Sequence, residues 1–134
     1  MSHENVEVVR RVGAALGAGD REGVLRYFDP EVVVDASRQR FNPATYVGID
    51  GLRRMVAAAD AVWDEIRTEP LDFLDAGDRV VVIGRLVGKG KGSGVEVQRP
   101  TAQVWTLRGG RVVRWEVGYT DRAKALEAAG LRDG

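Results

Sequence analysis

The hydrophobic period of this chain changes once, near Pro70, and that change limits what it can fold into. Before it, apolar residues recur at steps of three and four; after it, they alternate or run together. These are the periods of amphipathic helices and of strands. Val6, Val9, Val12 and Leu16 predict a first helix, capped by Ser2 and ended by Gly17 and Gly19. Asp20 caps a short second helix, REGVLRYF, which turns Val24, Leu25 and Phe28 inward. Asp29-Pro30 is read as a turn into the strand EVVVD. After a loop rich in Arg, Asn and Pro, Asp50 caps a third helix. Its stripe is Leu52, Met55, Val56, Ala59, Val62 or Trp63, and Ile66. Beyond Pro70, LDFLDAG, RVVVIGRLVG, VEVQRPTAQVWTL and RVVRWEVGYT read as strands, joined at KGKGSG and RGG. Asp121 caps a terminal helix closed by Gly130. Helices segregated from strands define an α+β class. A curved, mainly antiparallel sheet wrapped around the N-terminal helices would form a cone with an interior pocket, a natural place for a ligand.

Composition narrows the chemistry. The 134 residues suit one domain over 1–134. Acidic and basic residues balance at 20 each, which argues against nucleic acid as a partner. No apolar run is long enough for a membrane helix, and the charged N-terminus lacks a signal-peptide core, so a cytoplasmic protein is expected. There is no Cys, and the one His, His3, stands at the N-terminus. Disulfides, thiolate nucleophiles, a Ser-His-Asp triad and a multi-histidine metal site are therefore excluded. Neither a metal nor a cofactor is expected, and acid–base work falls to Asp, Glu, Tyr, Lys or Arg. The segment GKGKGSG joins two strands and matches no phosphate-binding loop.

Five strings, AALGAGDREGVLRYFDPEVVVD, YVGIDGLRRM, DAGDRVVV, QVWTLRGGRVVRW and DRAKALEAAGL, stand in an order that spans nearly the whole chain. In that order they resemble the SnoaL-like branch of the nuclear transport factor 2-like superfamily. The resemblance implies a cystatin-like, ketosteroid isomerase-like cone. It also implies a range of uses, because this fold hosts isomerases, dehydratases, cyclases, epoxide hydrolases and proteins without chemistry. In the ketosteroid isomerase relatives the Asp after the first strand is the general base, and PEVVVD puts Asp35 there. Their oxyanion-hole Tyr is matched by Val12, which has no donor. The Asp-Arg-Asp set of the epoxide hydrolases is not matched around Arg85, and dehydratase histidines are missing.

Asp35 is open to three readings. A carboxylate at the end of an apolar strand loses solvation and gains basicity, which suits a catalytic base. It could equally cap the following loop, or pair with Arg38. Gln103 shares one strand face with Arg99, Thr101 and Trp105, a polar step on an apolar wall. That step suits a pocket or an interface. In the isomerase relatives a protonated Asp near this position donates to the oxyanion, which the Gln103 amide could do. Tyr119 is expected to share the face of Val113, Trp115 and Val117 and to reach Asp35 or a ligand. Tyr46 could close the mouth, and Trp63 could line it. Of the arginines at 38, 40, 53 and 54, Arg38 is the best candidate anion ligand. These readings describe a small-molecule pocket protein. As an enzyme it would be a cofactor-free isomerase, cyclase or dehydratase. The alternative is a non-catalytic ligand-binding or dimerisation module, forming a homodimer through the sheet.

Overall fold

The computed structural model describes residues 2–39 and 43–131; Arg40 and the side chains of Ser2 and His3 lie outside the described set. Helix α1 (Ser2–Gly17) leads through a 3₁₀ helix (Gly23–Tyr27) into strand β1 (Phe28–Asp35). Strand β2 (Thr45–Val47) and helix α2 (Gly48–Val62) follow. Then come β3 (Trp63–Ala76), β4 (Arg79–Gly90), β5 (Glu96–Arg108), β6 (Arg111–Tyr119) and helix α3 (Arg122–Ala128). The six strands form one sheet ordered β2-β1-β6-β5-β4-β3. Only the β1–β6 pair is parallel. The α+β class and the mainly antiparallel sheet are as the sequence implied.

Several boundaries differ, each for a local reason. Asp29-Pro30 is no turn: both residues lie within β1, and the pairing with β6 shifts register between Phe28 and Val33. A bulge of this kind accommodates a residue without an N–H. The short second helix is 3₁₀ rather than α, held by Asp20, which accepts from the Gly23 amide at 3.0 Å. Helix α2 starts at Gly48 after Val47, so Asp50 is inside its first turn, where a carboxylate still complements the helix dipole. The stripe expected to run to Ile66 stops at Val62. Trp63 is already extended, and the segment 63–69 pairs with the far half of β4. Pro70 sits on this edge strand beside a second register shift. The three-residue β2 falls in the expected loop.

The register sorts side chains onto two faces. Val34, Trp115, Trp105 and Val80 form one row across β1, β6, β5 and β4. Asp35, Glu116, Val104 and Val81 form the next. Successive residues in a strand point to opposite faces. The first row joins the main core, closed by Val9 and Val12 of α1 and Leu52 of α2. We call this the inner face. Val81 and Val104 of the second row meet Ala125 and Leu126 of α3 on the outer face. The doubly apolar strand RVVVIGRLVG thus finds an outer partner within its own chain, in α3. The strands β3, β4 and β5 extend past β6 as a wing, since β6 pairs with β5 only from Ala102 onward. Pro100 occupies this unpaired margin, where its missing N–H costs no ladder bond. Among the described residues no helix is long and apolar enough to cross a membrane.

Candidate functional site

Asp35 ends β1 on the outer face with only 8% of its surface exposed. Its Oδ1 accepts from the Ser37 hydroxyl at 2.6 Å and the Ser37 amide at 3.0 Å. Its Oδ2 accepts from Arg114 at 2.9 Å and from Arg38 at 3.2 Å. Burial pushes the carboxyl up, but the Ser37 bonds and the Arg38 guanidinium outweigh it and hold the pKa below the ordinary carboxylate value. The turn cap and the ion pair therefore occur together, and both oxygens are engaged.

Arg38 binds more than Asp35. It donates to the Val117 carbonyl at 3.1 Å and lies over the Tyr119 ring at 4.2 Å. The Tyr119 hydroxyl donates to Glu116 at 3.0 Å; burial first, then this bond, push the phenol pKa up. Tyr119 does not share the face of Trp115 as expected. The β5–β6 pairing shifts between Ala102 and Val104, opposite Gly118, and carries Tyr119 into the outer cluster. A second shift near Leu107 makes Val112, rather than Val113, the core residue at the start of the strand.

Gln103 is on the inner face. Its Oε1 accepts from the Trp115 indole at 3.2 Å and its Nε2 donates to Thr68 at 3.2 Å. The structure thus brings Asp35, Arg38 and Tyr119 together and leaves Gln103 on the other side of the sheet. Arg99 lies four residues before Gln103 on the inner face of the wing, with its Nε buried. Trp63 packs against the Gly88 backbone, where a Cβ would come within 2.9 Å of its ring. Tyr46 is half-buried in β2, packed against the main core and within reach of Gly51. Among the described residues no group of three His, Cys, Asp or Glu side chains could hold a metal ion.

An apolar cavity of about 220 Å³ opens elsewhere on the inner side, between the end of α1, the 3₁₀ helix and α2. Trp115 and Phe28 contribute from the sheet, and Leu25, Leu52, Met55 and Val56 from the helices. Trp115 stacks on Trp105 at 4.4 Å between ring centroids. The rim is charged: Arg21 makes a two-pronged ion pair with Asp60, and Arg53 pairs with Glu22 at 3.1 Å. None of the seven residues expected to form a site lines this cavity. Of the lining, the sequence offers Trp115 as a candidate pocket aromatic, with core the better reading, and Arg53 as one of four candidate anion ligands; the apolar remainder shows there only as helix stripe and core. A stripe residue that packs on a neighbour and one that faces a void have the same period.

Comparison with known proteins agrees with this architecture. No curated protein sequence matches the chain. An NTF2-like protein of unknown function from Burkholderia pseudomallei is similar at 26% identity, with a TM-score of 0.78 over 95% of this chain and 97% of the other. TerC, co-crystallised with polyporic acid, is 25% identical, with a TM-score of 0.77 over 95% and 98%. A candidate polyketide cyclase from Sinorhizobium meliloti is 26% identical, with a TM-score of 0.65 over 84% and 94%. The sequence pattern of the SnoaL-like domain matches residues 9–115, and the chain belongs to that family.

Proposed function

We propose that this chain is a small-molecule pocket protein, a single SnoaL-like domain whose ligand is compact and largely apolar. The observation that carries the reading is the cavity beneath α2, with apolar walls, an aromatic Trp115 side and a charged rim. A few polar groups around an apolar hollow are the usual make-up of a ligand site. At about 220 Å³ it is smaller than the roughly 300–1,000 Å³ of sites for drug-sized molecules, which favours a small ligand. The TerC co-crystal shows a protein of the same fold together with a small organic molecule, polyporic acid, and the candidate polyketide cyclase has a name that points to a small-molecule substrate.

Between binding and catalysis, binding is the better supported. A general base needs a free lone pair within reach of substrate. Both Asp35 oxygens already accept hydrogen bonds, and Asp35 is on the face opposite the cavity core. The second reading, a cofactor-free isomerase, cyclase or dehydratase with Asp35 as base, draws on one observation: a nearly buried carboxylate close to the Tyr119 phenol and Arg38. A homodimer through the sheet would use the outer side of the wing around Arg67, Glu69 and Arg85, because α3 occupies the other half.

Fluorobenzene followed by ¹⁹F NMR tests the cavity. Wild type and Asp35→Asn should both bind it, and Val56→Trp, which fills the hollow, should not. Equal binding to Val56→Trp would remove this reading. If a substrate is found, a loss of about 10²–10⁴ in kcat for Asp35→Asn with the fold intact would favour the second reading instead.

A further inference from the structure

We infer that Arg99 is an anion-binding residue and that the inner face of the wing takes a planar carboxylate, stacked near Trp63. The inference stands apart from the cavity beneath α2. Arg99 follows the register of Gln103 and Trp105 onto the inner face, opposite Leu86 of β4. Its Nε is buried, yet it has no hydrogen-bond partner among the described residues. No carboxylate among them forms an ion pair with it either.

A buried guanidinium N–H without an acceptor carries an uncompensated desolvation cost, and such groups call for a missing partner. The contrast with its neighbours is informative. On the outer face of the same strands, Arg67 and Arg85 both reach Glu69, at 3.1 and 3.6 Å. Glu65 and Glu96 register with Lys89 on that side too. The ion pairs of the wing thus engage the outer arginines, while among the described residues none is made by half-buried Arg99 on the inner face.

The surroundings define the ligand. Thr101 and Gln103 continue the polar strip along β5, and Thr68 of β3 accepts from the Gln103 amide beside it. Gly88 pairs with Val97, so the backbone that carries the Trp63 ring is a diagonal neighbour of Arg99, about 7–8 Å away. A guanidinium fork suits a carboxylate, and an indole face that is partly exposed suits a flat ring. An aromatic acid satisfies both at once.

The probe is 2-naphthoate, with 2-naphthalenemethanol as its neutral counterpart. Arginine Nε–Hε correlations in ¹⁵N NMR report the site directly. We expect naphthoate to shift the Arg99 correlation and the alcohol to leave it in place. Arg99→Gln should weaken naphthoate binding about tenfold or more without a change in the far-UV spectrum, and Arg99→Lys should restore part of it. Val56→Trp should have no effect on it. Three results would overturn the inference: no binding of naphthoate to wild type, binding unchanged in Arg99→Gln, or binding lost in Val56→Trp. Because the last variant blocks only the α2 cavity, a failure of either site is distinguishable from a failure of the other.

Discussion

Gly118 shows how one residue sets the outer cluster. Its φ is +91°, and a Cβ there would lie 2.9 Å from the Arg38 side chain and 3.1 Å from that of Gln39. Only glycine gives Arg38 its seat on β6. Gly118→Val should therefore cost about 1–3 kcal/mol, read from urea denaturation, through strain and displacement of Arg38. Asp35→Asn removes charge from the same cluster and should also cost about 1–3 kcal/mol at pH 7. The pH dependence follows from the sign of the shift. The folded pKa of Asp35 lies below its ordinary 3.8, so its contribution is present above that value and is lost as pH falls through the folded pKa. The gap between wild type and Asp35→Asn should accordingly shrink between pH 5 and pH 2. A gap that stays constant would mean that the carboxylate charge contributes nothing. Asp35, Ser37 and Arg38 are close in sequence, so their cap and ion pair were legible. Arg114, 79 residues away, was not, because its approach depends on the parallel β1–β6 register.

At the scale of elements, the segment before the 3₁₀ helix is strapped to α2. The adjacent residues Arg21 and Glu22 reach Asp60 and Arg53, two turns apart on that helix. The hydrogen bond from Arg21 depresses the Asp60 pKa, so the strap persists across neutral pH. All four side chains are at least half exposed, and such pairs contribute roughly 0–1 kcal/mol each. They close the cavity rim without sealing it. Asp60→Asn should raise the exchange rate of fluorobenzene in ¹⁹F NMR while changing stability by less than about 1 kcal/mol. An unchanged rate would show that entry uses another route. Helix periodicity found α1 and the body of α2 but could not find the rim, since ion pairs between elements leave no periodic trace. The same limit explains the end of α2. WDEIRT carries Trp63 and Ile66 at helical spacing, yet it is extended, because the far half of β4 needs a partner. Tertiary pairing overrides a short local pattern.

Across the whole molecule, the central fact is a sheet covered on both sides by different means. The two N-terminal helices cover the inner face, and α3 covers part of the outer one. Alternation of apolar residues predicts the strands but not which face each residue takes, because one bulge reverses every assignment after it. Tyr119 changed face for that reason, while Gln103 and Arg99, on β5, which pairs with β4 without a shift, kept the common face the pattern assigned them. Helix α3 is short, but Ala125, Leu126 and Ala129 are nearly fully buried against Val81, Ala102 and Val104. Its removal would expose a continuous apolar strip next to the paired charges of the wing, and such strips drive association. Leu126→Ala should destabilise the fold by about 2–4 kcal/mol, the usual cost of a buried leucine. Leu126→Asp places a charge among apolar groups and should displace α3 altogether. If the outer face is held covered mainly by this helix, Leu126→Asp should sediment as larger species at concentrations where the wild type and Leu126→Ala keep one common size. Equal sedimentation of all three would mean that the strip closes by another route, and that α3 is a stabilising clasp rather than the cover of the sheet.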